Sequence, residues 1–212
     1  HDIRVEELPK PTIGKGELLI KMKACGICGS DVLEWYRSKK APLVLGHEMA
    51  GEIVEMREGA SPFAFKVGDR VFVSHHVPCN ECRYCKNGLH TSCETLHKTN
   101  FFPGGFSEFI RVPEINVKIG TYKLPENISY EEGTFIEPLG CVVRCHRLAK
   151  MNDARSLLVI GSGMSGILHI QLARFFGIKK IAAIDISDFK LRMARRFGAD
   201  EAYGAGEEIK EK

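Results

Sequence analysis

Ser156-Leu157-Leu158-Val159-Ile160 is an almost unbroken apolar run that leads into Gly161-Ser162-Gly163-Met164-Ser165-Gly166, and then into Ile167 to Gly177, a helical pattern closed by glycine. No other stretch constrains the fold as tightly. A strand apolar on both faces belongs inside a parallel sheet covered by helices. A second such run, Lys180 to Ile184, ends in Asp185, nineteen residues past Gly166, and is followed by a helix with Phe189, Met193 and Phe197 as its apolar stripe. Strand, glycine-rich turn, helix and distant acid together form a dinucleotide fingerprint. Gly161 permits the tight turn, Gly163 lets a pyrophosphate approach the backbone, and Gly166 lets helix and strand pack closely. The helix N-terminus at Met164 and Ser165 holds the negative charge. Asp185 accepts hydrogen bonds from ribose hydroxyls and repels a 2′-phosphate, which favours NAD over NADP. Lys190 is a second candidate ribose contact, with a solvated lysine as the alternative.

The first 115 residues or so read differently. Ile3–Glu6, Glu17–Lys23, Gly51–Met56, Asp69–Val73 and Phe106–Val112 are short apolar or alternating segments bounded by glycine- and proline-rich turns, the pattern of a barrel or sandwich-like β domain. The chain has 212 residues, 44% of them hydrophobic, enough for a real core. The change of pattern near Lys150 predicts one domain over 1–148 and a second over 149–212. The chain opens on His1 and stops inside an unfinished α/β unit, so it reads as a fragment of a longer protein. Its 30 basic and 27 acidic residues are scattered, leaving +3. No nucleic-acid patch, membrane span or signal segment is visible, and a small-molecule partner is expected.

Eight cysteines in close groups point to thiols kept free in a reducing, cytoplasmic compartment. Cys79, Cys82, Cys85 and Cys93 have the spacing of a structural tetrathiolate zinc site. An iron–sulfur cluster is the competing reading, although the fourth cysteine comes late for one. Cys25-Gly26-Ile27-Cys28-Gly29-Ser30-Asp31 and Gly46-His47-Glu48 gather thiol, imidazole and carboxylate, a ligand set for a second, catalytic zinc. Ser30 also reads as the N-cap of a helix over Asp31–Tyr36. Glu137, beside Pro138 at the edge of an apolar segment, needs a partner. Cys141 and Cys145 share a helical face and read as buried small hydrophobes. His75 and His76 read as surface or core-edge residues.

Gly46-His47-Glu48, the four-cysteine lobe, Glu137-Pro138-Leu139 and the dinucleotide fingerprint, in that order, resemble the medium-chain zinc-dependent alcohol dehydrogenases, most closely the sorbitol and threonine dehydrogenase branch. The resemblance implies a GroES-like catalytic β domain followed by a Rossmann domain, a doubly wound parallel sheet, here truncated. It implies Cys28 and His47 on the catalytic zinc, with Cys25 a packing residue and Asp31 orienting the imidazole. Glu48 and Glu137 match positions that ligate this zinc or hold its water. Ser30 would pass the substrate proton outward through the cofactor ribose. Many relatives complete that relay with a histidine where this chain has Leu33. Two zinc ions and NAD are the implied cofactors, a polyol or secondary alcohol the substrate, and a homo-oligomer, dimer or tetramer, the assembly. Trp35, Tyr36, Phe101 and Phe102 lie in segments that flank the pocket in relatives. An L-threonine 3-dehydrogenase is the alternative within the family. A zinc-ribbon binding module is the alternative outside it, and would leave Cys28, His47 and the fingerprint unexplained.

Overall fold

The structure, a computed structural model, describes residues 3–59 and 65–206. Two compact units divide it, His1–Glu137 and Pro138–Lys212. The division falls earlier than the change of sequence pattern near Lys150, because a helix that precedes the first parallel strand belongs by contact to the second unit.

The first unit is an antiparallel sheet of β1 (Leu18–Gly26), β2 (Glu48–Met56), β3 (Arg70–Val73), β4 (Phe109–Val112) and β5 (Thr121–Lys123), ordered β4-β1-β2-β3-β5. Short helices decorate it: α1 (Gly29–Val32), α2 (Glu34–Arg37), α3 (Arg83–Lys86), α4 (Glu94–Lys98), α5 (Glu114–Gly120) and α6 (Tyr130–Gly133). The period of two along each strand sends alternate side chains to one face, and Leu18, Ile20, Met49, Ile53, Val71, Val73, Ile110 and Val112 meet there as the core. Ile20 sits opposite both Ile53 and Ile110. Each such aliphatic side chain contributes about 1.5–3 kcal/mol on burial. Phe101 belongs to the same core, not to a pocket wall, whereas Phe102 and Trp35 are exposed. Ile3–Glu6 forms no strand, and Ile3 and Val5 stand in solvent.

In the second unit β6 (Ser156–Ile160), β7 (Lys180–Asp185) and β8 (Glu201–Gly204) form a parallel sheet in that order. Three helices belong with them: α7 (Ile136–Leu148), which starts at the division, then α8 (Met164–Phe175) and α9 (Asp188–Arg196). β8 escaped the sequence reading because its four residues carry one buried side chain, Ala202. The inward stripe of α9 is Leu191 and Ala194, with Phe189 and Phe197 exposed. A small alanine lets the helix approach the strands, which a phenylalanine stripe would prevent. Similarly, α7 buries Pro138, Val142 and His146. Cys141 and Cys145, one residue off that four-residue stripe, are exposed, contrary to the expectation of burial. Among the described residues no helix is long and apolar enough to cross a membrane.

The glycine turn after β6 is sterically exacting. Gly161 has φ +90, and a Cβ on Gly166 would stand 2.0 Å from the Gly161 carbonyl oxygen. A Cβ on Gly163 would meet nothing within 4 Å. Gly166→Ala is therefore expected to cost about 1–3 kcal/mol through overpacking and Gly163→Ala well under that, with equal losses in thermal unfolding contradicting this reading.

Candidate metal centres and dinucleotide loop

The four-cysteine lobe is a chain of short turns that bring the sulfurs together. Cys79, Cys82, Cys85 and Cys93 place their Sγ atoms within 4.8 Å of one another. Cys79 to Cys85 is 3.9 Å, Cys82 to Cys85 3.5 Å and Cys79 to Cys93 3.7 Å. A tetrahedron of zinc–sulfur bonds of about 2.3 Å has edges of roughly 3.8 Å, so the spacing matches a single ion. Asn80, at φ 60 between the first two cysteines, turns the chain so that the N–H groups of Glu81 and Cys82 donate to Cys79 Sγ. Those bonds hold the Cys79 thiol below its ordinary range, and the N–H of Cys79 draws Cys93 down to about 6. Burial pushes Cys85 up to about 12. Four sulfurs this close form a donor set that fits a single zinc ion. All eight cysteines are free of disulfides.

The second group lies between β1 and β2. Gly26, the last residue of β1, pairs with Glu48, the first of β2, so the loop after one strand and the start of the other converge. Cys28, His47 and Glu48 place ligand atoms within 4.8 Å of one another. Glu48 is buried, and its Oε1 has no hydrogen-bond partner among the described residues. A buried carboxylate oxygen without a partner, beside a thiol and an imidazole, is where a cation fits. Burial raises the Glu48 carboxyl, while a hydrogen bond from Cys28 opposes that. Burial holds the His47 imidazole below the histidine range against the pull of Asp31, and the neutral ring is the form that ligates. His47 turns Nδ1 toward Asp31 Oδ1 at 3.5 Å, leaving Nε2 for the group. Gly26 is needed because a Cβ there would lie 2.2 Å from Glu48 Oε2.

Glu137 stands outside this trio. Burial, with the Glu48 and Asp31 charges adding to it, pushes its carboxyl up to about 7. Cys25 packs against the core, and burial raises its thiol to about 11, which suits packing over ligation.

Ser30 is not the N-cap. Cys28 is, with φ −80 and ψ 150, because Asp31 reaches back to accept the Cys28 N–H at 3.1 Å. The expected single helix also breaks at Leu33, whose ψ of 97 separates α1 from α2. Two side chains at this site were missed. Arg37, on α2, bonds both Ser30 and Asp31. Only its position one turn beyond Leu33 hinted at this, and the break in the helix hid it. The ring of His75 lies 4.8 Å from that of His47, and burial pushes it down to about 3. His76 instead bonds the Thr99 carbonyl.

In the second unit, Met164 and Ser165 open α8 at the glycine turn. Asp185 is buried at the end of β7, and its carboxylate accepts the N–H of Ser162 at 2.7 Å and of Ser187 at 2.9 Å. The acid thus braces the loop itself and keeps a lone pair on each oxygen for a further donor. The Ser162 N–H holds its carboxyl below the usual range, with the Lys190 charge adding a smaller pull.

The alcohol dehydrogenase GroES-like domain profile matches residues 14–125, more than half of the chain. The chain belongs to that family. The chain is 36% identical over 212 residues to the Aspergillus clavatus protein named "Probable D-xylulose reductase A", with 96% of the chain and 58% of that protein covered. It is 34% identical to sorbitol dehydrogenase of Bacillus subtilis, covering 94% and 57% respectively. Among solved structures, galactitol-1-phosphate dehydrogenase from Escherichia coli superposes with a TM-score of 0.84 at 33% identity, covering 98% of this chain and 59% of that one. The chain thus spans a little under three-fifths of the relatives it matches.

Chelator treatment is expected to lower the melting temperature and to expose the segment from Cys79 to Cys93 to protease; a metal-stripped protein with unchanged melting and digestion would contradict the four-thiolate assignment. Asp185 supplies a pH signature. A carboxyl depressed in the folded state stabilises above the ordinary aspartate value and loses that contribution as pH falls through the folded value. Asp185→Asn should therefore lower the melting temperature at pH 7, and the gap to the unmodified protein should close below about pH 4; a gap that persists in acid would remove the carboxylate from this role.

Proposed function

We propose that this chain carries the catalytic domain and the first half of the nucleotide-binding domain of a cytoplasmic, homo-oligomeric, zinc-dependent dehydrogenase. It would oxidise a secondary alcohol of a polyol to the ketone, with the hydride passing to NAD and the hydroxyl proton leaving by way of Ser30. The observation that carries this reading is the convergence of half-buried Cys28 and His47 on the buried Glu48, one of whose oxygens is unpartnered among the described residues, in a chain that also holds a dinucleotide fingerprint. Relatives named for sorbitol and for galactitol 1-phosphate support a polyol.

Cys28, His47 and Glu48 would hold the catalytic ion, with Glu137 as an exchangeable fourth group, and Cys79, Cys82, Cys85 and Cys93 the structural one. Zinc, when bound, supplies Lewis-acid polarisation of the substrate hydroxyl. Asp31 fixes the tautomer of His47 by accepting from Nδ1, so that Nε2 offers its lone pair. Ser30 moves the proton, since a hydroxyl both accepts and donates. Leu33 has no proton-accepting atom, so the proton continues to water or to a ribose hydroxyl. Glu137, with its carboxyl near neutrality, can change charge as substrate enters. In the second unit Gly161, Gly163, Met164, Ser165 and Gly166 would hold the pyrophosphate on backbone N–H groups, and Asp185 with Lys190 the adenosine ribose. The Asp185 charge supports NAD over NADP.

The test uses the full-length protein with sugar alcohols, 2,3-butanediol and L-threonine, each with NAD and with NADP. Turnover of a polyol with NAD is expected, and Ser30→Ala should lower kcat by about 10²–10⁴-fold with both zinc ions retained. Unchanged turnover in Ser30→Ala, or a clear preference for NADP, would contradict the roles given to Ser30 and Asp185.

A further inference from the structure

Ser30 has a second, unusual set of bonds. Arg37 Nε donates to the Ser30 carbonyl at 2.6 Å, and Arg37 Nη2 donates both to Ser30 Oγ at 3.1 Å and to Asp31 Oδ1 at 3.0 Å. The pair is sheltered, with the Arg37 side chain 18% exposed and the Asp31 side chain 0%. Arg37 reaches Ser30 because the break at Leu33 turns α2 back on α1, and the Arg37 N–H closes on the Leu33 carbonyl at 3.0 Å.

We infer that Arg37 is a positioning residue that gives the Ser30 hydroxyl a fixed direction for proton transfer; this rests on the dehydrogenase reading above. A hydroxyl has one O–H and two lone pairs, and a guanidinium donates only. The Nη2 bond therefore occupies one lone pair of Ser30 Oγ. One lone pair and one O–H remain, a single way in and a single way out for a proton. The Nε bond to the Ser30 carbonyl holds the backbone of the same residue, so neither the side chain nor its anchor turns freely. Arg37 is not the proton acceptor, because a guanidinium has donors only and no acceptor atom. The charge favours one order of transfer: when Ser30 releases its own proton ahead of taking the substrate's, the negative charge that develops on Oγ faces a cation across a sheltered hydrogen bond. Lysine cannot replace this arrangement, since one ammonium on a flexible stem does not span the carbonyl, the hydroxyl and the carboxylate as a planar fork does.

The experiment is a double-mutant cycle of Ser30→Ala and Arg37→Met in the full-length, zinc-loaded enzyme, with Arg37→Lys as the conservative variant. Losing a charge-assisted hydrogen bond corresponds to roughly 10–100-fold. Arg37→Met is expected to lower kcat by that factor, with KM for the dinucleotide changed by less than about twofold, and Arg37→Lys to recover only part. In the Ser30→Ala background Arg37→Met should lower kcat no further. The second readout is the visible spectrum of the cobalt(II)-substituted protein, expected to be the same in Arg37→Met as in the unmodified enzyme because the ligands are untouched. Additive losses in kcat, or a cobalt spectrum altered by Arg37→Met, would mean that Arg37 acts through Asp31 and His47 instead, and would overturn the inference. An enzyme whose Ser30→Ala form turns over normally would refute the relay itself, a different failure that is read from the single variant.

Discussion

The buried carboxylate of Asp31 is the interaction on which the first unit's chemistry depends. It accepts the Cys28 N–H, the Gly46 N–H and the Arg37 guanidinium, and faces His47 Nδ1. These donors come from three places: the loop after β1, the two residues before β2 and a short helix. Sheet register brings Gly26 opposite Glu48, but it does not aim the side chains. Asp31 does, and a buried charge with this many donors is costly to disturb because each would lose its acceptor in a sheltered site. The candidate ligands are therefore held by a rigid strand pair on one side and by one carboxylate on the other.

The two metal groups differ in a way their surroundings explain. The tetrathiolate lobe has little apolar content of its own and is organised by backbone N–H groups that point at sulfur. An ion on its four sulfurs would supply the cross-links that an apolar core supplies elsewhere. The Cys28, His47 and Glu48 group sits on a sheet whose core of Leu18, Ile20, Met49, Ile53 and their partners exists without it. Such a site can leave a coordination position open for substrate, because the fold does not rely on it being closed.

The parallel half of the fold was legible from Ser156 to Asp185 because apolar runs, glycine turn and acid are all local signals, but the expected burial of β6 on both faces does not hold: only Val159 is buried, and Leu158 and Ile160 are exposed. In the antiparallel half β1 to β4 were legible, but the three-residue β5 and the absence of a strand at Ile3–Glu6 were not, nor were the pairings, since register depends on contacts between Ile20, Ile53 and Ile110 that lie far apart in the chain. The tetrathiolate spacing could be read directly. At the second group the ligand types could be read, but local chemistry did not distinguish Cys25 from Cys28; the core packing of Cys25 now supplies a physical difference. Arg37 was illegible because its contact with Ser30 depends on the break at Leu33. His75 was illegible because its approach to His47 joins the end of β3 to the start of β2. Asp185 was read as a ribose acceptor, whereas it first braces its own loop through the Ser162 N–H, a bond that no spacing announces.

The central claim is that one chain builds two chemically distinct zinc sites. Zinc K-edge X-ray absorption on the full-length protein, with Cys79→Ser/Cys82→Ser and Cys28→Ser variants alongside, tests it most directly. The account predicts two zinc ions, one with four sulfur neighbours at about 2.3 Å and one with a single sulfur and nitrogen or oxygen donors at about 2.0–2.2 Å. The sulfur-rich component should vanish in the first variant and persist in the second. A single zinc, or sulfur coordination that Cys28→Ser leaves unchanged while zinc content stays at two, would contradict it.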